Sequence, residues 1–362
     1  MVPVPFDADY LYFNDDCVIN SSSGIVWERG GTVKRNWIYI ILLITFVAVL
    51  PVFLTDYGAN LAAEIFIMAI FAMSLGLIMG FGGMVSLGHA AFFAIGAYTV
   101  AILGESIPNT YLLILAAAVF AGVIAFITGY VFIRTSKFYF LMITLAFGQL
   151  IYALAWQLKE YTGGADGMAV RASINFGFGE LYSPLAIYFV MGAALILVYA
   201  LLRFFVDSPA GKITKGIMEN EGRMIALGFS PRIYKLLTYS FAGALAGFAG
   251  SLYGYYNLFV SPDLSMWMFS GQVLNMVIIG GVGTLMGPVL GAGVFIFLQN
   301  FISTYTERWP LIMGILLVVL VLIGKGGIIH WLGFAKYKFK RMTNKSRSLM
   351  VQPQVKEKGA AE

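Results

Sequence analysis

Apolar positions in this chain come in unbroken runs rather than in alternation, and polar residues gather in the intervals between them. A helix of about 20 apolar residues crosses about 30 Å of hydrocarbon. On that measure ten spans are predicted: Trp37–Leu54, Leu61–Gly80, Leu87–Leu103, Tyr111–Ile133, Phe138–Leu158, Leu185–Phe205, Leu236–Tyr256, Phe269–Gly280, Pro288–Phe301 and Leu311–Ile323. The eighth and ninth are short and glycine-rich. Hydrocarbon offers no partner to free backbone groups, so spanning structures are helices or closed barrels, and unbroken runs favour helices. The pattern predicts an all-α polytopic membrane protein of about ten transmembrane helices, some short or broken.

The longest central polar interval, 207–231, reads as ordered. Ser208 is placed to cap a helix whose first turn begins at Pro209, and Gly228 with Pro231 is placed to stop it. Ile213, Ile217 and Met224 fall on one side of a 3.6-residue period, with Glu219, Glu221 and Arg223 nearer the other. One short amphipathic helix is expected. Two readings are open for it at this stage: a helix lying on lipid, or a helix docked to a soluble partner.

Composition agrees with a membrane protein. Of 362 residues, 60% are hydrophobic and 11% charged, against about 45–50% and about 25% in soluble domains. Basic residues then orient the chain. Arg29, Lys34 and Arg35 precede the first span, and Arg134 and Lys137 separate the fourth from the fifth. Arg203, Lys212, Lys215, Arg223, Arg232 and Lys235 surround the central interval, and Lys325, Lys336, Lys338, Lys340 and Arg341 follow the last span. Ten spans place all of these, and both termini, on the cytoplasmic side. Asp56, Glu105, the 159–180 loop, Asp263, Glu307 and Arg308 fall opposite. The expected organisation is a weakly ordered cytoplasmic arm over 1–36, a transmembrane domain over 37–324 and a basic cytoplasmic tail over 325–362. The arm carries Asp7, Asp9, Asp15 and Asp16 without an apolar core, so no cleavable leader is expected. Trp331, Phe334, Tyr337 and Phe339 interleave with the basic tail, which suits an anionic lipid leaflet and needs no nucleic acid. A single cysteine, Cys17, excludes an internal disulfide framework.

Catalytic signals are missing from the sequence. It has no phosphate-binding GxxxxGK[ST], no GxSxG and only two histidines, His89 and His330, far apart. No metal and no catalytic residue is therefore expected. The stretch Gly80–Tyr98 carries Gly80, Gly82, Gly83, Gly88 and Gly96, which predicts a broken helix. Transporters place such breaks at ligand sites, where free N–H groups face an anionic group. Ser86 is expected to cap a helix restarting at Leu87, where a substrate carboxylate would gain about 0.3–2 kcal/mol from the helix dipole. The alternative is tight helix packing with an ordinary turn, His89 then bonding a neighbouring helix. Ser86, Gly88, His89, Thr144 and Gln149 are the candidate pathway residues. Gly82 to Gly88 and Gly281 to Gly287 share their spacing, which the chain's 41 glycines make uninformative. Glu64 sits one turn into the second expected span, near the outer face and shallow enough to snorkel; scarce acids argue against a proton relay.

Four blocks resemble one family. They are GLIMGFGGMVSLGHAAFFAIGAYTVAIL, FYFLMITLAFGQLIYAL followed by TGGADGM, SPAGKITKGIMENEGRMIALGFSPRIYKLLTYSFAGALAGFAGSLYG, and SPDLSMWMFSGQVLNMVIIGGVGTLMGPVLGA. Together they are similar to the permease subunit, M-type, of bacterial branched-chain amino-acid (Leu/Ile/Val) ABC importers, from about Leu61 to Ile323. The resemblance implies a non-catalytic subunit of the bacterial inner membrane, forming half of a translocation pathway. It implies a homologous H-type permease, two cytoplasmic ATPases that hold the ATP and Mg, and a periplasmic or extracellular solute-binding protein. It also implies that Met218–Phe229 contacts the ATPases, through Glu219, Asn220, Glu221, Arg223, Ala226, Leu227 and Gly228, which favours docking over lipid for that helix. Gln149 stands where the family commonly has Glu. His89 stands where urea and short-amide carriers of the family have Gln, which favours amino acids over that alternative. An ion-coupled secondary transporter is the rival of a different class, with Glu64 as its candidate ion site.

Overall fold

The computed structural model describes residues 18–20, 24–26, 41, 43–107, 109–135, 137–171 and 183–323. Cys17, Arg29, Lys34, Arg35, the second part of the 159–180 loop, His330 and the 325–362 tail lie outside the described residues, as does part of the first expected span.

Residues 1–54 and 55–362 form two compact units. In the first, β1 (Val18–Asn20) pairs antiparallel with β2 (Gly24–Val26), within the arm expected over 1–36. Residues 43–49 are helical and end in a 3₁₀ turn at Leu50–Phe53, with Pro51 in its first turn.

The second unit is helical: α1 (Asp56–Gly80), α2 (His89–Leu103), α3 (Thr110–Phe132), α4 (Lys137–Gln157), the single turn α5 (Lys159–Thr162), α6 (Pro184–Asp207), α7 (Pro209–Glu219), α8 (Glu221–Ala226), α9 (Pro231–Asn257), α10 (Trp267–Gly280), α11 (Met286–Tyr305) and α12 (Trp309–Ile323). Every expected span from the second onward has a helix at its place. Among the described residues, six helices are long and apolar enough to cross a membrane, while α2, α10 and α12 are shorter apolar helices. The expected ninth span is longer than its apolar run, at 20 residues in α11, because helix continues through the polar stretch up to Tyr305.

Helix α1 is the centre of this unit, with every residue from Phe66 to Ile78 buried. It packs against α6, α9, α10 and α11. Helix α9 lies along α2 and α3 with small residues at the seam. A Cβ on Gly243 would stand 2.3 Å from the Ala125 methyl, and one on Gly250 would overlap the Phe93 carbonyl. Without a hydrophobic gain between helices in lipid, such backbone approach is what holds them. The far side of α3 shows Leu115, Phe120 and Ile127 at 61%, 55% and 61% exposure, a surface that suits lipid or another membrane chain rather than water. One small sheet interrupts the all-helical pattern: β3 (Met168–Ala169) pairs antiparallel with β4 (Phe259–Val260), tying the loop after α4 to the end of α9.

Candidate functional site

The central interval is built by local chemistry. Ser208 Oγ accepts from the Gly211 N–H at 3.3 Å, with Pro209 in the first turn, so α7 begins as its sequence predicts. The single expected helix is nevertheless two. Asn220 leaves the helical region at φ −155° and ψ 95°, and its Oδ1 accepts from the Arg223 N–H at 2.9 Å to start α8. An Asn side chain that bonds nearby backbone competes with helix continuation, and here it wins. Helix α8 closes on Gly228 at φ +86°. The Gly228 N–H donates to the Ile225 carbonyl at 2.9 Å and the Phe229 N–H to the Met224 carbonyl at 3.1 Å. That reciprocal pair closes a helix only when the residue after the cap is left-handed, hence glycine.

One face of α7 is anchored: Gly211, Thr214 and Ile217 are buried, and Thr214 Oγ1 lies 3.2 Å from Thr238 Oγ1 of α9. Ile213 is only half-buried and Met224 belongs to α8, so the expected apolar side is split by the break. Helix α8 buries no residue. Glu219, Asn220, Glu221, Arg223, Ala226 and Leu227 are all exposed, and Ile225 and Leu227 show 56% and 64% of their surface. A 2.8 Å ion pair from Lys235 to Glu221 ties α8 to α9.

The second candidate region is the interruption between α1 and α2. Residues 81–88 are non-helical, as the glycines predict. The restart differs from expectation. Helix α2 begins at His89 behind Gly88, and Ser86 caps nothing: its hydroxyl is buried with no hydrogen-bond partner. The Gly82 and Met84 N–H groups donate back to Leu77 and Ile78 of α1, while two donors at the restart are met from elsewhere. The Leu87 N–H donates to Thr144 Oγ1 at 3.3 Å and the Ala90 N–H to Ser270 Oγ at 2.9 Å. His89 is fully buried. Its ring stacks on Phe71 at 5.7 Å, meets Phe92 edge-on at 5.9 Å and places Nε2 2.9 Å from Ser74 Oγ. A Cβ on Gly88 would overlap the Thr144 carbonyl. Ser86, Gly88, His89 and Thr144 are thus gathered at one packed junction. Gln149 sits further along α4, with Nε2 enclosed and unpartnered. The Tyr239 hydroxyl faces those of Ser86 and Thr128 without a hydrogen bond of good geometry.

Sequence reading missed Ser74 and Ser270. Each is a lone hydroxyl in an apolar run, which is the available signal, but its partner lies in another helix and is not visible along the chain.

Residues 57–323 match the model of the family described as branched-chain amino acid transport system / permease component. The chain belongs to that family. Among curated relatives, the high-affinity branched-chain amino acid transport system permease protein LivM of Escherichia coli K12 is 28% identical over 324 residues, covering 83% of this chain and 76% of the relative. The probable LivM of Methanocaldococcus jannaschii is 26% identical over 249 residues, 66% of this chain and 70% of the relative. The LivH permease of Salmonella typhimurium is 23% identical over 288 residues, 72% of this chain and 90% of the relative. No solved structure matches. Both regions described above, 81–88 and 209–228, fall inside the span that the family matches. The permease is therefore a multi-pass membrane protein whose break and exposed bracket both lie within the family-matched region.

Proposed function

We propose that this permease forms half of the translocation pathway of an ATP-driven importer for branched-chain or related neutral amino acids in the bacterial inner membrane. A second, homologous permease supplies the other half. Two cytoplasmic ATPases dock on 209–228 and hold the ATP and Mg, and a solute-binding protein delivers substrate from outside. Ten spans, both termini cytoplasmic, a cytoplasmic arm over 1–36 and a basic tail over 325–362 complete the reading.

One observation carries it: the segment of the family-matched region that carries Glu219–Gly228 is folded and capped yet buries none of α8. A helix that holds its shape while leaving Ile225 and Leu227 uncovered suits a partner's groove. The energy argument agrees. Moving a two-state pore from 1:99 to 99:1 takes about 5.5 kcal/mol of differential binding. A nucleotide cycle on partner chains supplies it. The Ser86, Gly88, His89, Thr144 and Gln149 region is read as the wall of the pathway that moves, with the packed junction at Gly88 as its closed position.

The test is reconstitution in liposomes. The full assembly accumulates leucine only with ATP, and collapsing ion gradients leaves uptake in place. The permease alone neither hydrolyses ATP nor accumulates leucine. Accumulation by the permease alone, or loss of uptake when the gradients are collapsed, overturns the reading.

A further inference from the structure

The exposed bracket and the buried break meet at one side chain on one glycine. Gly83 sits in the left-handed region at φ +64°, inside the 81–88 interruption. A Cβ built on it would stand 2.8 Å from Met218 Cγ and 3.6 Å from Met218 Cβ. Met218, in the last turn of α7, therefore lies flush on bare backbone. Behind Met218, α8 is seated on α7 in the same manner: a Cβ on Gly216 would stand 2.9 Å from Met224 Sδ.

The other side of the break leads to a second one. A Cβ on Gly80 would stand 2.5 Å from the Gly283 nitrogen and 2.8 Å from its Cα. Gly283 belongs to the 281–285 interruption between α10 and α11. One turn earlier in α1, a Cβ on Gly76 would stand 2.9 Å from Pro288 Cγ at the start of α11. The end of α1, where the first interruption begins, is thus packed backbone to backbone on the second interruption. Close-packed contacts of this kind transmit displacement, whereas a stretch without an i→i−4 ladder yields to it. Space for movement lies alongside. A cavity of about 580 Å³ is bounded by Gly83, Met84, Ile133, Phe140, Met218 and Lys235, among others.

We propose that Met218 is a positioning residue: its contact with Gly83 carries the displacement of 209–228 into both glycine breaks, which move as one unit. The proposal rests on the reading of 209–228 as the ATPase-docking segment. Thr214, bonded to α9, is then the pivot, and Met218 the lever's working end. The contact is kept throughout the cycle, because a lever that parts from its load transmits nothing.

The experiment uses the complete importer in liposomes and reads leucine uptake per ATP hydrolysed. Met218→Ala removes the side chain beyond Cβ and keeps helix propensity. The ratio is expected to fall between about twofold and about thirtyfold, the range for changes along a coupling route, with the ATPases still co-purifying. An unchanged ratio overturns the proposal. A second variant carries Met218→Cys and Gly83→Cys with the sole cysteine removed as Cys17→Ser. The 3.6 Å separation lies within the Cβ–Cβ range of a disulfide. Oxidation is expected to leave ATP-driven uptake running at no less than the ratio of the reduced protein, because a maintained contact has only been made covalent. Arrest on oxidation shows that the contact must part, and overturns the lever. Absence of ATP-dependent uptake in the unaltered importer is a failure of the underlying reading instead.

Discussion

The break at 81–88 and the bracket at 209–228 are both interruptions between long helices, yet they are held in opposite ways. The break leans on distant residues: Gly82 and Met84 donate back to α1, but the Leu87 N–H and, just inside α2, the Ala90 N–H are accepted by Thr144 and Ser270, 57 and 180 residues away. The bracket is satisfied by itself, through Ser208, Asn220 and Gly228. A segment held by distant helices can change only when those helices shift. A segment capped by its own residues keeps its shape on a foreign surface. That difference suits the first to be a gate and the second a handle.

The comparison is broken most severely at Gly88. Valine there would drive a Cβ into the Thr144 carbonyl, and neither backbone can rotate away. Gly88→Val is expected to cost about 3 kcal/mol or more, seen as loss of folded permease in detergent. Next comes His89→Ala. It empties a fully buried site against Phe71 and removes the ring that meets Ser74, at about 2–4 kcal/mol in thermal unfolding. Ser86→Ala, by contrast, removes a hydroxyl with no partner and is expected to be near neutral in stability. Equal costs for these two neighbours would show that the junction is not packed as described.

The bracket is expected to respond differently. Gly228 has open space around it, with no heavy atom within 4 Å of an added Cβ, but its φ of +86° excludes a branched side chain. Gly228→Val is expected to cost about 1–3 kcal/mol, confined to α8. The permease should still fold and assemble, while uptake per ATP hydrolysed falls. Normal coupling in this variant would count against 209–228 as the handle.

Legibility along the chain follows the same division. The helices at the second to tenth expected spans are marked by their apolar runs, because burial in lipid is written residue by residue. Ser208 as a cap and Gly228 as a stop were readable because caps act over three or four positions. Asn220 was equally local, and the periodicity of Ile213, Ile217 and Met224 concealed it by running through the break in register. Ser86 was misassigned for the opposite reason. It precedes an apolar run as a cap should, but the helix restarts two residues later, at His89 behind Gly88, and the neighbouring Leu87 and Ala90 N–H groups are met by Thr144 and Ser270 of other helices. His89 was readable as polar in an apolar stretch, while its stacking on Phe71 and its bond to Ser74 depend on how α1 and α2 fold back on each other.

A small expected effect in the bracket is the sharpest check on self-sufficiency. The Lys235–Glu221 pair joins α8 to α9 at 2.8 Å, with the two side chains 19% and 49% exposed. A pair this open to water is worth at most about 1 kcal/mol. If α8 is held chiefly by its own caps, Glu221→Gln should lower stability by less than that. Raising salt to about 1 M, where charges are screened within about 3 Å, should erase most of the remainder. A double-mutant cycle with Lys235→Met isolates the pair from each side chain's other contacts. A coupling of about 2 kcal/mol or more, insensitive to salt, would mean that α9 rather than Asn220 and Gly228 fixes the handle. The bracket would then belong with the break, as a segment that moves only when its neighbours do.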